Sequence, residues 1–384
     1  MTDSGACTFR ARRVAAMLPG REIIHDGAVI VRDGLVAEAG AFRELANRCP
    51  APVRDLGETT VLPGLINSHT HLELSHLGLP PVLGRGFLAW VRWLLAQPVS
   101  AVDEASLDKA ARQLTGCDTA AVADIGSRNV GLAAKHMSLH GIDVLTLFER
   151  FGFGPEALLP EFGDILPDWS GQPDRLALAG HALYSTSSEA LRRAKDCDRR
   201  RGRAFSIHLA EHAGEVELLA DGRGDFADFL RSRILPRDFT PPGLSPVAYA
   251  DSLGLLDHKT LAVHGVQVSK ADIAILASRG TAVCLCPRSN QIIGVGAAPV
   301  RAYLDAGVPL CLGTDSLAST PNLDLWEELR ALLYQTELTL CRAARMLTAV
   351  PAHCFGFTRL GSFAPGKLAR MAVLPSDLES LLGD

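Results

Sequence analysis

Two histidines one residue apart, His69 and His71, have a spacing that suits metal chemistry. Alternate side chains of an extended strand point the same way, so both imidazoles can reach one cation. Imidazole nitrogens bind zinc at about 2.0–2.1 Å. A His-x-His pair alone is a weak signal, so further ligands elsewhere in the chain are needed to support a site.

A third imidazole and a carboxylate complete such a set. His208 ends one later apolar run and Asp315 ends another. Three neutral imidazoles and one carboxylate leave a coordination position for water, which is typical of a catalytic metal site. These ligand types suit zinc and iron(II) alike. The sequence therefore predicts a divalent transition metal, with Zn²⁺ expected first and Fe²⁺ as the alternative.

Proton transfer beside such a metal needs additional groups, and three residues suit it. Asp315 could accept the proton of the attacking water, and Glu211, three residues after His208, could deliver a proton if it is held protonated. His264, at the end of another apolar run, could polarise the water or the bond under attack. The alternatives are a solvated carboxylate at Glu211 and a structural core histidine at His264.

Other metal-capable residues favour structural interpretations. Cys284 and Cys286 alternate within an apolar run, so we expect buried thiols rather than ligands. Nine cysteines in 384 residues form no regular framework, which favours reduced thiols and a cytoplasmic location. Histidines in predicted helices and loops, such as His136 and His212, are expected to be solvated.

Eight strand-like apolar runs alternate with helix-length amphipathic stretches. The candidate metal-binding and catalytic residues stand at the ends of these runs. Parallel strands need crossover helices, so the pattern predicts a (β/α)8 barrel, an α/β fold whose active site lies at the carboxyl ends of its strands. Metal-capable residues stand at seven of these ends: the His69 pair, Asp124, Glu149, His181, His208, His264 and Asp315. The runs cover residues 61–67, 119–125, 142–148, 175–180, 204–207, 260–263, 281–286 and 308–312.

The two ends of the chain have a different texture. The first 60 residues are short apolar runs with Asp-Gly pairs at 26–27 and 33–34, which favour hairpin turns. The tail returns to strand-like texture around residues 361–374. We expect residues 1–60 and 356–384 to form a small β-sandwich-like domain, and residues 61–355 to form the barrel.

Six motifs resemble the amidohydrolase superfamily, specifically its cytosine-deaminase/chlorohydrolase-type branch. They span residues 61–75, 181–187, 208–211, 263–265, 286–290 and 312–319, in the family's order. The branch includes deaminases of S-adenosylhomocysteine, methylthioadenosine, guanine and aminodeoxyfutalosine. The stretch His71–Ser75 and the Pro-Arg-Ser-Asn motif lean toward aminodeoxyfutalosine deaminase-like members.

The resemblance implies roles for individual residues. The metal ligands are His69, His71, His208 and Asp315; Glu211 is the proton-shuttling acid, His264 orients water or substrate, His181 contacts the substrate, and Ser289 and Asn290 line the pocket. Binuclear relatives carry a carboxylated lysine at the fourth strand. Residues 175–187 contain no lysine, so one metal ion is expected.

Three further residues could select the substrate. Trp90 lies three residues before Trp93, so a helix would place both on one face, either packed on the barrel or forming an apolar wall. Glu73 could bind a ribose hydroxyl or form a salt bridge near the barrel mouth. Arg288 could bind a carboxylate on the substrate.

The expected function is hydrolytic deamination of an aminopurine-like small molecule. The same centre could instead release another amine, as in guanine or cytosine deaminases or amidases, or chloride from a triazine. An inactive, metal-retaining binding protein is a remote alternative. A net charge of −5 disfavours nucleic acid, and no apolar run reaches the roughly 18 residues of a membrane span. Whether the protein forms a homodimer is left open.

Overall fold

A computed structural model describes residues 5–50, 52–157 and 175–383. Within these residues, fourteen strands form two sheets. The first sheet contains β1 Ala6–Val14, β2 Ile24–Arg32, β3 Leu35–Ala41, β4 Val53–Asp55, β5 Thr60–Pro63 and β14 Met371–Val373. The second contains β6 Leu65–Thr70, β7 Thr119–Gly126, β8 Asp143–Arg150, β9 Leu176–Ala182, β10 Phe205–Leu209, β11 Thr260–His264, β12 Ala282–Leu285 and β13 Leu310–Leu312.

The second sheet confirms the predicted barrel. Its eight strands are parallel and lie side by side in sequence order from β6 to β13. A bridge between Thr70 and Asp315 then joins the last strand to the first. Glycine is required at 313, because a Cβ there would lie 2.7 Å from the His69 Cβ and 2.8 Å from the Cys284 Sγ. The strands are therefore in close contact where the barrel closes beside the predicted ligands.

The first sheet joins both ends of the chain, as expected, and it is a single mixed sheet. β14 from the tail pairs antiparallel with β5, which pairs parallel with β1. The predicted strand 61–67 is in fact two strands. Residues up to Pro63 belong to the small sheet, and the barrel strand begins at Leu65, because the chain passes from one sheet to the other at Gly64.

The two Asp-Gly pairs behave differently. Asp33 and Gly34 both have positive φ, 51° and 74°, and form the predicted two-residue turn between β2 and β3. The prediction of a turn at Asp26 is wrong. Asp26 has φ 43° inside β2, where the pairing with β1 skips one residue on each strand. Asp26 therefore lies at an irregularity in the pairing of β1 with β2, and the chain does not reverse there.

Helices separate the barrel strands and cover its outer face. The described α-helices are Phe42–Leu45, Phe87–Leu94, Glu104–Gly116, Val130–Leu139, Ser188–Arg200, Ala213–Asp221, Asp225–Arg231, Pro246–Ser252, Lys270–Arg279, Pro287–Ile293, Val300–Asp305, Leu325–Leu333, Leu340–Ala344, Val350–Phe355 and Ser376–Glu379. Among the described residues, no helix combines the length and the apolar character that crossing a bilayer requires. All nine cysteines are free thiols, and Cys284 and Cys286 are fully buried as predicted.

Candidate active site

The carboxyl ends of the barrel strands bring the four predicted metal ligands together. His71 Nε2 lies 3.3 Å from His208 Nε2 and 3.7 Å from an Asp315 carboxylate oxygen. His69 Nε2 lies 3.8 Å from the same oxygen. His69, His71, His208 and Asp315 are called the ligand cluster below. Its nitrogens and oxygens are spaced as donors around one cation would be.

The protonation states of the ligand cluster fit a metal ion. Both ring nitrogens of His69 are buried and lack a hydrogen-bond partner among the described residues. Burial holds the pKa values of His69 and His208 well below the usual histidine value. Neutral imidazoles with free lone pairs are the form that binds transition metals. A divalent cation would therefore satisfy buried atoms that otherwise have no partner.

Neighbouring groups orient the ligands. His208 donates from Nδ1 to the main-chain carbonyl of His181 over 2.8 Å, which leaves its Nε2 facing the cluster. Asp315 accepts hydrogen bonds from the hydroxyls of Ser289 and Ser319, at 2.7 and 2.9 Å, and from the main-chain N–H of Ser316 at 2.8 Å. These donors hold the carboxylate in one orientation.

Glu211 and His264 face each other beside the ligand cluster. A carboxyl oxygen of Glu211 lies 3.7 Å from His264 Nε2, and both side chains are almost fully buried. Burial, followed by the nearby carboxylates of Asp315 and Glu215, raises the pKa of Glu211 well above the usual value. His264 donates from Nδ1 to the Asn290 side-chain oxygen over 2.9 Å. Glu211 therefore holds a proton more readily than an exposed glutamate, and the bond to Asn290 fixes the tautomer of His264.

Three residues of this region have left-handed backbone conformations. Ala210 has φ 54°, His264 has φ 74° and Asp315 has φ 60°. Such angles are costly for residues with a Cβ, by about 1–3 kcal/mol at sparsely populated conformations. Each lies at or just after the end of a barrel strand, where the chain turns sharply. The backbone is therefore strained at the positions that direct these side chains toward the site.

The ligand cluster opens into a cavity of about 440 Å³, called the site cavity below. Its polar floor includes His71, His208, Glu211, His264 and Asp315. Aromatic and aliphatic side chains form the walls: Phe87, Trp90, Val91, Leu94, Phe226, Phe229, Leu230 and Ile234. A polar reactive centre beneath an apolar wall suits a flat ring with a polar edge.

The predicted substrate contacts fall into two groups. His181 and Trp90 line the site cavity, and the Trp90 indole donates to the Ala318 carbonyl over 3.0 Å. Glu73 also lines it, but its carboxylate accepts from the main-chain N–H groups of residues 127–129, at 2.9–3.3 Å. Glu73 thus stabilises the start of the helix Val130–Leu139 rather than presenting free oxygens.

The predicted contacts of the Pro-Arg-Ser-Asn motif lie behind the site cavity. Ser289 and Asn290 are buried and bind Asp315 and His264, so they position those residues. Arg288 donates to Asn322 over 2.8 Å and lies 3.6 Å from Glu328. It lines a separate cavity and is not part of the wall of the site cavity.

Sequence reasoning missed several residues of the site. Ser319 and Glu215 each lie four residues after a predicted site residue; Glu215 accepts the main-chain N–H of Glu211 over 2.9 Å. An i, i+4 search for polar partners would have found both. The expectation of a solvated His212 is wrong: it is 5% exposed and stacks on Phe87 with ring centroids 3.9 Å apart. His136 is equally buried, with its Nδ1 3.0 Å from Asp108.

Two exposed arginines complete the wall of the site cavity. Arg128 follows β7, and Arg233 lies beyond the helix Asp225–Arg231. The Arg233 guanidinium lies 4.9 Å from the ring centre of Phe229. Arg128 and Arg233 are the two arginines in the described lining of the site cavity, and their positive charges favour a ligand that carries an anionic group.

Known proteins resemble this chain along most of its length. A 5-methylthioadenosine/S-adenosylhomocysteine deaminase of Desulfovibrio desulfuricans is 31% identical over 381 residues, covering 92% of this chain and 80% of the relative. The fold matches Helicobacter pylori aminofutalosine deaminase in complex with methylthio-coformycin, with TM-score 0.82, 23% identity, and 95% and 91% of the two chains covered. It also matches a Xanthomonas campestris adenosine deaminase with bound zinc, with TM-score 0.74, 24% identity, and 97% and 86% covered.

Sequence similarity and site geometry agree. Residues 60–382 match the profile of the amidohydrolase family, which spans the whole barrel. The family's divalent metal fits the buried, unpartnered nitrogens of His69 and the oriented carboxylate of Asp315. The chain belongs to the amidohydrolase family.

Proposed function

We propose that the protein is a metal-dependent deaminase of aminopurine nucleosides or closely related small molecules. One observation carries the proposal: Glu211, a buried acid with a raised pKa, lies between the ligand cluster and the apolar site cavity, 3.7 Å from His264. Deamination needs a proton donor at this place, since the ring must accept a proton as water adds. The similarity to methylthioadenosine and S-adenosylhomocysteine deaminases supports this substrate class.

His69, His71, His208 and Asp315 would hold the metal ion. A divalent ion there lowers the pKa of water and so makes a nucleophile available near neutral pH. Asp315 accepts the proton of that water, while Glu211 donates its proton to the ring nitrogen next to the amino-bearing carbon. A C–O bond forms at that carbon. Asp315 then gives its proton to the amino group, the C–N bond breaks and ammonia leaves. The proton of the new hydroxyl group passes to Glu211 as the C=O bond forms, so both carboxyl groups return to their starting states.

His264 orients the reactants during these steps. Because its Nδ1–H donates to Asn290, its Nε2 carries the lone pair and faces Glu211. Burial lowers the pKa of His264, which keeps the ring neutral. A neutral Nε2 accepts a hydrogen bond from the attacking water or from the protonated Glu211 carboxyl group.

One Zn²⁺ per chain is the proposed cofactor, with Fe²⁺ as the alternative. The fold match with a zinc-containing adenosine deaminase supports zinc. The absence of lysine from residues 175–187 supports a single ion. We further propose that the small domain comprises residues 1–63 and 356–384, because β5 lies in the small sheet, and that residues 64–355 form the barrel. We also propose that the protein is cytoplasmic. A homodimer is one proposed assembly, to be tested by light scattering.

An ammonia-release assay tests the proposed function. Adenosine, methylthioadenosine, S-adenosylhomocysteine, aminodeoxyfutalosine, guanine and cytosine are incubated with the metal-loaded protein, with and without a chelator. We expect chelator-sensitive ammonia release from the adenine nucleosides. Release only from guanine or cytosine, chloride from a triazine, or amide hydrolysis would support the alternative hydrolases. A metal-loaded protein without any turnover would be a binding protein.

A further inference from the structure

Glu149 is a buried acid whose position the reaction described above does not explain. It stands near the carboxyl end of β8, is 3% exposed, and lines the site cavity. Its Oε2 atom is buried without a hydrogen-bond partner among the described residues. Buried polar atoms are nearly always paired, so this oxygen is available to a polar group that enters the site cavity.

The groups around Glu149 leave one of its carboxyl oxygens available to a ligand in the site cavity. Ligand-capable atoms of Glu149, His181 and His208 lie within 4.8 Å of one another. Two other acids, Glu73 and Asp124, lie near it, and burial followed by these charges raises the pKa of Glu149 well above its usual value. Both of those acids are occupied by hydrogen bonds from the backbone, including the Leu72 N–H to Asp124 at 2.8 Å. Glu149 has the carboxyl oxygen left for a ligand.

We propose that Glu149 is a substrate-binding residue that, together with His181, forms hydrogen bonds to the polar edge of the aminopurine ring. This inference rests on the proposed function and assigns a residue that recognises its substrate. His181 has Nδ1 2.5 Å from the Ser185 hydroxyl, so its Nε2 is the nitrogen left to face a ligand. A purine edge offers ring-nitrogen acceptors and an amino donor, and a carboxyl group can pair with either.

A second cation held by Glu149, His181 and His208 is the competing explanation for the same geometry. His208 Nδ1 already donates to the His181 carbonyl, so only its Nε2 can bind a metal. That nitrogen belongs to the ligand cluster, 3.3 Å from His71 Nε2. One lone pair serves one cation, which favours a substrate contact over a second metal site.

Two substitutions of Glu149 separate hydrogen bonding from charge. Glu149→Gln keeps donor and acceptor atoms, whereas Glu149→Leu keeps the volume and removes both. Asp198→Asn is the control, because Asp198 is a buried acid that accepts the Leu178 N–H outside the site cavity. Each protein is measured for kcat, KM, metal content and thermal midpoint. Calorimetry gives its Kd for methylthio-coformycin, the ligand of the Helicobacter structure.

We expect Glu149→Leu to lower kcat/KM and weaken methylthio-coformycin binding by about 10- to 100-fold, the loss typical of a buried substrate group left unpaired. Glu149→Gln should recover most of both, and metal content should not change in either variant. Asp198→Asn should alter the thermal midpoint but neither KM nor Kd. Recovery by glutamine separates the proposal from a purely structural role.

Three results would overturn the inference. The first is an active parent whose Glu149→Leu variant stays within about threefold in kcat/KM and Kd. The second is a Glu149→Gln variant as impaired as Glu149→Leu that has also lost metal, which would indicate a cation site. The third is a metal-loaded parent that neither turns over nor binds any adenine nucleoside, which would overturn the proposed function and this inference with it.

Discussion

The main-chain N–H of Asp315 donates to the main-chain carbonyl of His69 over 3.0 Å. This bond links β6 to the residues just after β13, so the first and last strands of the barrel meet at two members of the ligand cluster. The contact that closes the barrel therefore also brings His69 and Asp315 together in the ligand cluster. Metal binding should in turn stabilise the closed barrel, since a ligand that binds only the folded state adds to its stability.

The ligand cluster predicts the metal content. His208→Ala should lose most of the single equivalent of metal measured by elemental analysis, because one of four ligands is removed and His71 loses its neighbour at 3.3 Å. His258→Ala, an exposed histidine outside the site cavity, should retain it. Two equivalents in the parent, or full retention in His208→Ala, would rule out the mononuclear assignment.

Glu211 predicts a loss of turnover without a loss of metal. Glu211→Gln is nearly isosteric but carries no transferable proton, so kcat should fall by about 10²–10⁴-fold while KM and metal content stay close to the parent values. Asp315→Asn is the comparison, and there activity and metal should fall together. Loss of metal in Glu211→Gln would show that Glu211 is a metal ligand. Near-normal turnover would show that Glu211 has no role in catalysis.

The hydrogen bond between Asn290 and His264 predicts that a change at Asn290 lowers kcat through His264. Replacing Asn290 with leucine removes the acceptor that fixes Nδ1–H of His264, so kcat should fall by about 10- to 100-fold. The pH profile of kcat should shift as well, since the imidazole loses its hydrogen-bond partner. Asn47→Leu, on the exposed surface near the small sheet, serves as the control. An unchanged pH profile in Asn290→Leu would contradict the orienting role.

The position of Arg233 in the wall of the site cavity predicts selectivity for substrates that carry a carboxylate group. Arg233→Ala should raise KM for S-adenosylhomocysteine by about fivefold, as expected for one exposed charge pair, and leave methylthioadenosine unchanged. Added salt should reduce this difference. Arg223→Ala removes an exposed arginine outside the site cavity and should affect neither substrate. Equal effects of Arg233→Ala on both substrates would contradict a charge-based role.

Asp198 predicts a pH-dependent stability. Burial raises its pKa to about 8, so the folded protein keeps a proton that the unfolded chain releases above its ordinary pKa of 3.8. The parent therefore loses stability as pH rises from about 4 to 8. The stability of Asp198→Asn relative to the parent should increase over this window, by up to about 1.4 kcal/mol per pH unit. Denaturant unfolding at pH 5 and pH 8 measures it; an equal difference at both values would disprove the shift.

The sequence was sufficient to predict the barrel and the convergence of its strand-end residues. Apolar runs mark the strands, and several of them end at a residue that faces the site, so His208, His264 and Asp315 could be placed from the sequence. The same logic singled out Glu149 without giving it a role. These predictions needed only strand order and the rule that parallel strands end at one face.

Other features depend on contacts that no local pattern encodes. Glu73 could bind a sugar or a helix terminus, and only the position of residues 127–129 decides it. Arg288 is adjacent to Ser289 in sequence, but the helix Pro287–Ile293 turns it toward Asn322 and away from the site cavity. Asp26 has the same Asp-Gly signature as Asp33, and the register of β1 against β2 determines which pair forms a turn.

The left-handed backbone of His264 and Asp315 has a consequence for directed evolution of this protein. Glycine or asparagine at either position would relax the backbone, so a thermal-tolerance screen of the metal-free protein would enrich such variants. Those variants would have lost the groups that orient water and bind metal. Any selection for heat resistance must therefore be coupled to an activity screen, because selection on stability alone would yield stable but inactive variants.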